Sequence, residues 1–285
     1  EKPEYSYWVG CSAGGRQALK QAQRFPDDYD GIIAGAPGND WTGRAVGALR
    51  VAKPLATNES ARLLEDDRLL VHEAVLAACD MADGVTDGVV GNPERCDFDP
   101  SVLLCEGDKS ASCLTVDQVT TARMLYSSPK NPKSGREITG LLPGSELDWT
   151  DFGWTRSARN TGLEQFKYLT DKDPEWTIDR FEFEQDIVRA EEIDNDTLNA
   201  LDPNLQPFLD SGGKLLSYHG WSDAQISPKN ATQYYQRVVE TVGDADAVHD
   251  SYRLFMAPGM GHCGGGQGPN TFDALSALEE WVEEG

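Results

Sequence analysis

What this sequence lacks narrows it before any motif is read. It contains no apolar run near the roughly 20 residues a membrane-spanning helix needs, no internal repeat and no low-complexity linker. It is short of positive charge: 25 Lys and Arg stand against 48 Asp and Glu, a formal charge of −23. Such a surface repels polyanions, which argues against nucleic acid or an anionic membrane as partner and for a well-solvated acidic exterior. Histidine is scarce, with four residues and no pair at zinc-ligand spacing, and no Cys-x-x-Cys occurs, so a zinc site is disfavoured. No charged-then-apolar leader opens the sequence; a signal segment is expected to have been removed or to lie upstream.

Cysteine is sparse but even in number. Cys79 and Cys96, and Cys105 and Cys113, are close couples able to close short loops, which leaves Cys11 and Cys263 to each other across nearly the whole chain. With three Asn-x-Ser/Thr sequons, at Asn58, Asn195 and Asn230, this favours an oxidising, extracellular or periplasmic setting.

The chain is organised around its first two dozen residues. Tyr5-Ser6-Tyr7-Trp8-Val9 is β-branched and aromatic, Gly10-Cys11-Ser12-Ala13-Gly14-Gly15 is a glycine-bracketed turn, and Arg16 to Ala22 favours helix. Strand, sharp turn and helix with serine at the tip is the Gly-x-Ser-x-Gly nucleophile elbow, in which side chains at Gly10 and Gly14 are expected to collide with neighbouring elements. Residues 31–37 read as a buried strand that completes a right-handed βαβ unit. Helical stretches follow at 45–56 and 60–78. They begin a segment without comparable strands, rich in aromatics and acids, that runs to about position 207. Strands return at 213–220 and 250–257, with helices at 230–242 and 272–282. The expected fold is α/β: a core from residues 1–45 and 208–285, with 46–207 inserted.

Ser12, Asp223 and His262 each follow a predicted parallel strand, where α/β sheets collect their ligands, in the chain order nucleophile, acid, histidine. In that chemistry His262 takes the proton of Ser12 as it attacks an ester carbonyl, Asp223 orients the imidazole, and the Ala13 N–H is one oxyanion donor. His219 ends the strand that carries Asp223 and is expected to touch substrate at the same mouth. If the triad forms, Cys11 and Cys263 come close enough to bond, locking nucleophile to base.

The pattern Cys-Ser, Asp, His-Cys resembles the tannase and feruloyl esterase family over essentially the whole chain. The likeness lies in residues 10–16, in His219-Gly220-Trp221-Ser222-Asp223, and in Pro258-Gly259-Met260-Gly261-His262-Cys263. The resemblance implies a secreted serine carboxylesterase of aromatic acid esters, feruloyl-type first and galloyl second, with an α/β-hydrolase core and an inserted lid. Trp149, Phe152 and Trp154 are lid aromatics able to stack on a substrate ring. A non-catalytic, calcium-stabilised binding module is the rival from another class.

Residues 79–89 hold three aspartates within eight positions, among glycines: hard oxygen ligands suited to calcium, or two successive Asp-Gly turns. The resemblance favours a structural calcium held by Asp80, Asp83 and Asp87 side chains and the Val85 and Val89 carbonyls, its loop closed by Cys79 and Cys96. An α/β-hydrolase carries further strands ahead of the elbow, and they supply the second oxyanion donor. An upstream segment is therefore expected to complete the sheet, as a separate piece or part of a longer chain.

Overall fold

In the computed structural model, residues 3–151 and 153–285 are described. The strands are β1 (Tyr7–Cys11), β2 (Gly31–Gly35), β3 (Lys214–Gly220) and β4 (Tyr252–Ala257), hydrogen-bonded in the order β1-β2-β3-β4 and all parallel. β2 and β3 pair from Gly31↔Lys214 to Gly35↔Tyr218 although almost two thirds of the chain runs between them. The first strand lies two residues later than its composition suggests, because the register with β2 pairs Tyr7 to Cys11.

The helices are α1 (Ala13–Arg24), α2 (Trp41–Thr57), α3 (Glu65–Cys79), α4 (Val116–Tyr126), α5 (Arg156–Gln165), α6 (Phe183–Asp194), α7 (Gln206–Asp210), α8 (Lys229–Val242), α9 (Ala245–Ser251) and α10 (Ala274–Glu283). Alternate strand residues face opposite sides of a sheet. Ile32, Ala34 and Leu215 accordingly pack with Leu19 of α1, Phe208 of α7, Tyr234 and Val238 of α8 and Val248 of α9. Ile33 and Leu216 pack on the other side against Leu278 and Trp281 of α10. Helices thus cover both faces of the sheet, as an all-parallel sheet requires.

The inserted region is helical and centred on α2, which is apolar almost all round and correspondingly buried. Its Ala48, Val51 and Leu55 join one cluster with α3, α4 and Trp149; its Val46 and Leu49 join another with Phe166, Trp176 and Phe181. Truncating Leu49 or Leu55 to Ala would cost about 2–5 kcal/mol. α2 is continuous across position 45, where the sequence suggests a boundary, so the change from sheet to helices falls in residues 36–40. The helix expected at 60–78 is broken. Asn58 accepts the Ser60 N–H, residues 62 and 64 are extended, and α3 begins at Glu65. Glu65, Asp66 and Asp67 then sit in the first turn, where negative charge meets the positive end of the helix dipole. Among the described residues no helix is long and apolar enough to cross a membrane.

Candidate active site

The elbow is formed at the end of β1. Ser12 has φ 62° and ψ −117°, backbone angles that a non-glycine residue adopts only when its surroundings enforce them. They do so here: the Ser12 N–H donates to the Gly35 carbonyl at 2.9 Å, and the Ser12 carbonyl accepts from Arg16 at 3.0 Å and Gly38 at 3.1 Å. A Cβ on Gly10 would stand 2.6 Å from the backbone of Gly14, and one on Gly15 would stand 2.4 Å from the Gly35 oxygen. Gly14 differs from expectation. Nothing lies within 4 Å of a Cβ there, so the tight positions are Gly10 and Gly15. The Ala13 N–H, at the helix start, makes no backbone hydrogen bond among the described residues and is free to receive a ligand oxygen.

Asp223 and His262 come from the turns after β3 and β4, which are tied together. The Trp221 N–H donates to Ala257 at 2.9 Å and the Ser222 N–H to Met260 at 3.0 Å; a Cβ on Gly220 would fall 2.1 Å from the Met260 oxygen. Asp223 is fully buried. Its Oδ1 accepts the N–H groups of Gln225 at 2.7 Å and Ile226 at 2.9 Å, and its Oδ2 lies 2.8 Å from His262 Nδ1. Burial alone would raise the carboxyl's pKa. The hydrogen bonds from His219 and His262 outweigh it and hold the carboxyl well below the usual carboxylate range. An ionised Asp223 can only accept, so His262 carries a proton on Nδ1, and in the neutral imidazole that leaves Nε2 as the basic nitrogen.

The Cys11–Cys263 disulfide, with Cα atoms 6.0 Å apart, brings the neighbours of Ser12 and His262 together. Cys263 shares the positive φ of Ser12, 62°. Nucleophile turn and histidine turn are thus covalently joined with both backbones in the left-handed region. The Ser12 hydroxyl makes no hydrogen bond among the described residues. The arrangement has the parts for acyl transfer: a hydroxyl on a strained turn, an imidazole with a free nitrogen set by a buried carboxylate, and an unused N–H at a helix start.

Three expected substrate contacts lie elsewhere. His219 is wholly buried behind Asp223, because its position on β3 directs it into the core rather than the mouth. Trp149 is 2% exposed, packed on Tyr126 and donating to Ser145; Trp154 is 3% exposed, against Gly47 of α2. Both belong to the core of the inserted helices, which requires large apolar side chains of its own. Phe152 lies outside the described residues.

Two groups around Asp223 gave no sequence signal. Arg44 of α2 is buried, donates to the Gln225 carbonyl and Ser157, and acts electrostatically on Asp223; burial lowers its guanidinium to about 10. Asp148 approaches from the inserted region. Its carboxyl Oδ2 is 3.6 Å from where a Gly261 Cβ would be, and burial, then the charge of Asp223, raises its pKa.

The disulfides Cys79–Cys96 and Cys105–Cys113 are formed. Within the first, Asp80 accepts the N–H groups of Asp87 and Gly88, Asp83 that of Val85, and Asp87 that of Val89. Among the described residues these three carboxylates have no Lys or Arg partner, and no three acidic, imidazole or thiolate groups converge as a metal cage. The donors suit calcium, but their present arrangement is a self-capped loop.

The family model described as Tannase and feruloyl esterase matches residues 1–285. The chain belongs to the tannase and feruloyl esterase family. It is 33% identical over 298 residues to feruloyl esterase B of Aspergillus niger, covering 99% of this chain and 57% of that protein. It is also 33% identical over 342 residues to an uncharacterised esterase of Xanthomonas campestris. The crystal structure of feruloyl esterase B from Aspergillus oryzae superposes with a TM-score of 0.89 at 31% identity, over 99% of this chain and 60% of that one. The tannin acyl hydrolase of Aspergillus niger does so with a TM-score of 0.81 at 25% identity, over 57% of its length. The chain thus spans well under two thirds of these family members.

Proposed function

We propose that this chain carries the catalytic centre of a serine carboxylesterase that hydrolyses aromatic acid esters of the feruloyl type. The observation that carries the reading is the 2.8 Å contact of His262 Nδ1 with buried Asp223, on a turn bonded through Cys263 to the residue before Ser12. His262 Nε2 takes the Ser12 proton as the hydroxyl oxygen attacks the ester carbonyl. The developing oxyanion rests on the Ala13 N–H, and the proton passes to the departing alcohol. Water then attacks the acyl-enzyme by the same route, giving its proton to His262 and releasing the acid as Ser12 regains its own. Galloyl esters are the second substrate class, favoured by the likeness to the tannin acyl hydrolase.

β1 is an edge strand with Val9 60% exposed, and a segment pairing there would complete the sheet and bring the second oxyanion donor. Three disulfides support an extracellular or periplasmic location. The uncompensated charge of Asp80, Asp83 and Asp87 supports a structural calcium, which requires those side chains, with the Val85 and Val89 carbonyls, to turn inward; no catalytic step depends on it.

The test is hydrolysis of methyl ferulate, methyl gallate and an aliphatic ester by intact and Ser12→Ala protein, with circular dichroism on both. Turnover of an aryl ester that Ser12→Ala abolishes without loss of fold is expected. A folded Ser12→Ala protein that still turns over would overturn the assignment.

A further inference from the structure

The geometry points to His219 as a positioning residue that completes the hydrogen-bond shell of Asp223 and thereby sets how strongly that carboxylate holds His262. This rests on reading Ser12, Asp223 and His262 as the triad.

A carboxylate offers about four lone-pair sites. Asp223 has four donors: the N–H groups of Gln225 and Ile226 on Oδ1, and His262 Nδ1 and His219 Nε2, at 2.8 and 3.1 Å, on Oδ2. The shell is full, and the two imidazoles share one oxygen. His219 Nε2 also lies 3.1 Å from the Ile226 carbonyl, which can only accept. A nitrogen facing two acceptors carries the proton, so His219 is the Nε2–H tautomer. Its Nδ1 is buried with no partner. Protonating that nitrogen would enclose an N–H with no acceptor, so the site accommodates the neutral donor.

Because His219 pulls on the oxygen that binds His262, part of the Asp223 charge is drawn away from the base. The other charged groups facing the carboxylate are Arg44 from α2 and Asp148 from the inserted region, of opposite sign. Without His219, one lone pair of Asp223 would be buried and empty, and its charge would fall more heavily on His262. The imidazolium would be favoured and the basic form of His262 would appear only at higher pH. The carboxylate would also be held by one fewer contact, so the imidazole would be less well aimed.

Three variants and the wild type decide it. His219→Leu, which removes the donor, should lower kcat by about 10- to 100-fold with KM within about twofold. It should also move the acid limb of the kcat/KM profile to higher pH. His219→Gln, whose amide can restore an N–H toward Oδ2, should return kcat to within about fivefold of wild type and the limb to its place. Ser12→Ala is the reference: if it retains turnover the triad itself falls, whereas an inactive Ser12→Ala beside a His219→Leu enzyme with wild-type kcat and profile overturns only the role of His219. Equal losses in the Leu and Gln variants also overturn it. Should His219→Leu fail to fold, nitrogen NMR of histidine-labelled wild type decides: a protonated Nε2 and bare Nδ1 at His219 support the assignment, and a protonated Nδ1 refutes it.

Discussion

The bridge between Cys11 and Cys263 joins positions 252 residues apart and encloses nearly the whole molecule, whereas Cys105 and Cys113 are eight apart. If a disulfide acts by restricting the unfolded chain, the long loop is worth about 5 kcal/mol and the short one about 2.5 kcal/mol, before native strain or residual structure reduces either. At a few degrees per kcal/mol, replacing both cysteines of the long bridge by serine should lower the melting temperature by about 10 °C or more; the short pair should cost about half as much. The two replacements should differ more sharply in activity. Cys11 adjoins Ser12 and Cys263 adjoins His262, and a 1 Å misplacement of a reacting group costs on the order of 100-fold. The Cys11→Ser/Cys263→Ser enzyme should therefore lose about 10- to 100-fold in kcat at temperatures where its far-ultraviolet dichroism is unchanged. The Cys105→Ser/Cys113→Ser enzyme should keep its kcat. Differential scanning calorimetry and ester hydrolysis on both variants are the measurements. A long-bridge variant that keeps full activity, or that loses no more stability than the short-bridge one, would refute the argument that this bond both closes the fold and aligns the site.

Other outcomes follow from single positions. Gly10→Ala and Gly15→Ala should each abolish activity or folding, since their Cβ atoms would lie 2.6 and 2.4 Å from backbone, while Gly14→Ala should fold and turn over substrate; a dead Gly14→Ala enzyme would contradict the geometry of the elbow. Asp148→Asn should raise the melting temperature near pH 7 by about 1–2 °C, a modest gain because the group is half exposed. The sign follows from its raised pKa: the fold favours the neutral acid, so the wild type loses stability as pH rises through that pKa. The gain should vanish below about pH 3, where Asp148 is neutral folded or unfolded; thermal melts across pH decide it. Chelation should lower the melting temperature, and Asp80→Asn/Asp83→Asn/Asp87→Asn should remove the effect; no bound metal by mass spectrometry and an unchanged melt would dismiss the calcium.

What was legible in the sequence was what local chemistry dictates. The elbow shows as glycines around a serine between a strand and a helix, and the three sheet returns show as short apolar runs. Close spacing suggests both cysteine couples, and the long bridge is what they leave over. What was hidden depends on packing between distant segments. Trp149 and Trp154 look like ring-stacking aromatics, but nothing local in the sequence tells a binding aromatic from a core one. Only the assembled α2, α3 and α4 cluster shows that these two are enclosed. Gly14 matches the elbow pattern as well as Gly10 does, yet only Gly10 and Gly15 meet backbone, because the helix turns Gly14 outward.

His219 is the most instructive difference. On sequence it ends the strand four residues before Asp223, which suggests a place at the mouth. After Gly220 the chain turns back on itself, and those four residues carry the Asp223 carboxylate inward over the histidine instead of past it. The turn is possible because Gly220 lets the Met260 carbonyl come close, so an apparently featureless glycine lets the turns after β3 and β4 bring both imidazoles to one carboxylate oxygen. His219 and His262 both meet Oδ2, so one oxygen of the acid is held by two groups of the same kind. Since His219 is wholly enclosed while His262 is part-exposed, the division of labour proposed for the two histidines follows from the strand register and that single close approach, not from any difference between the residues themselves.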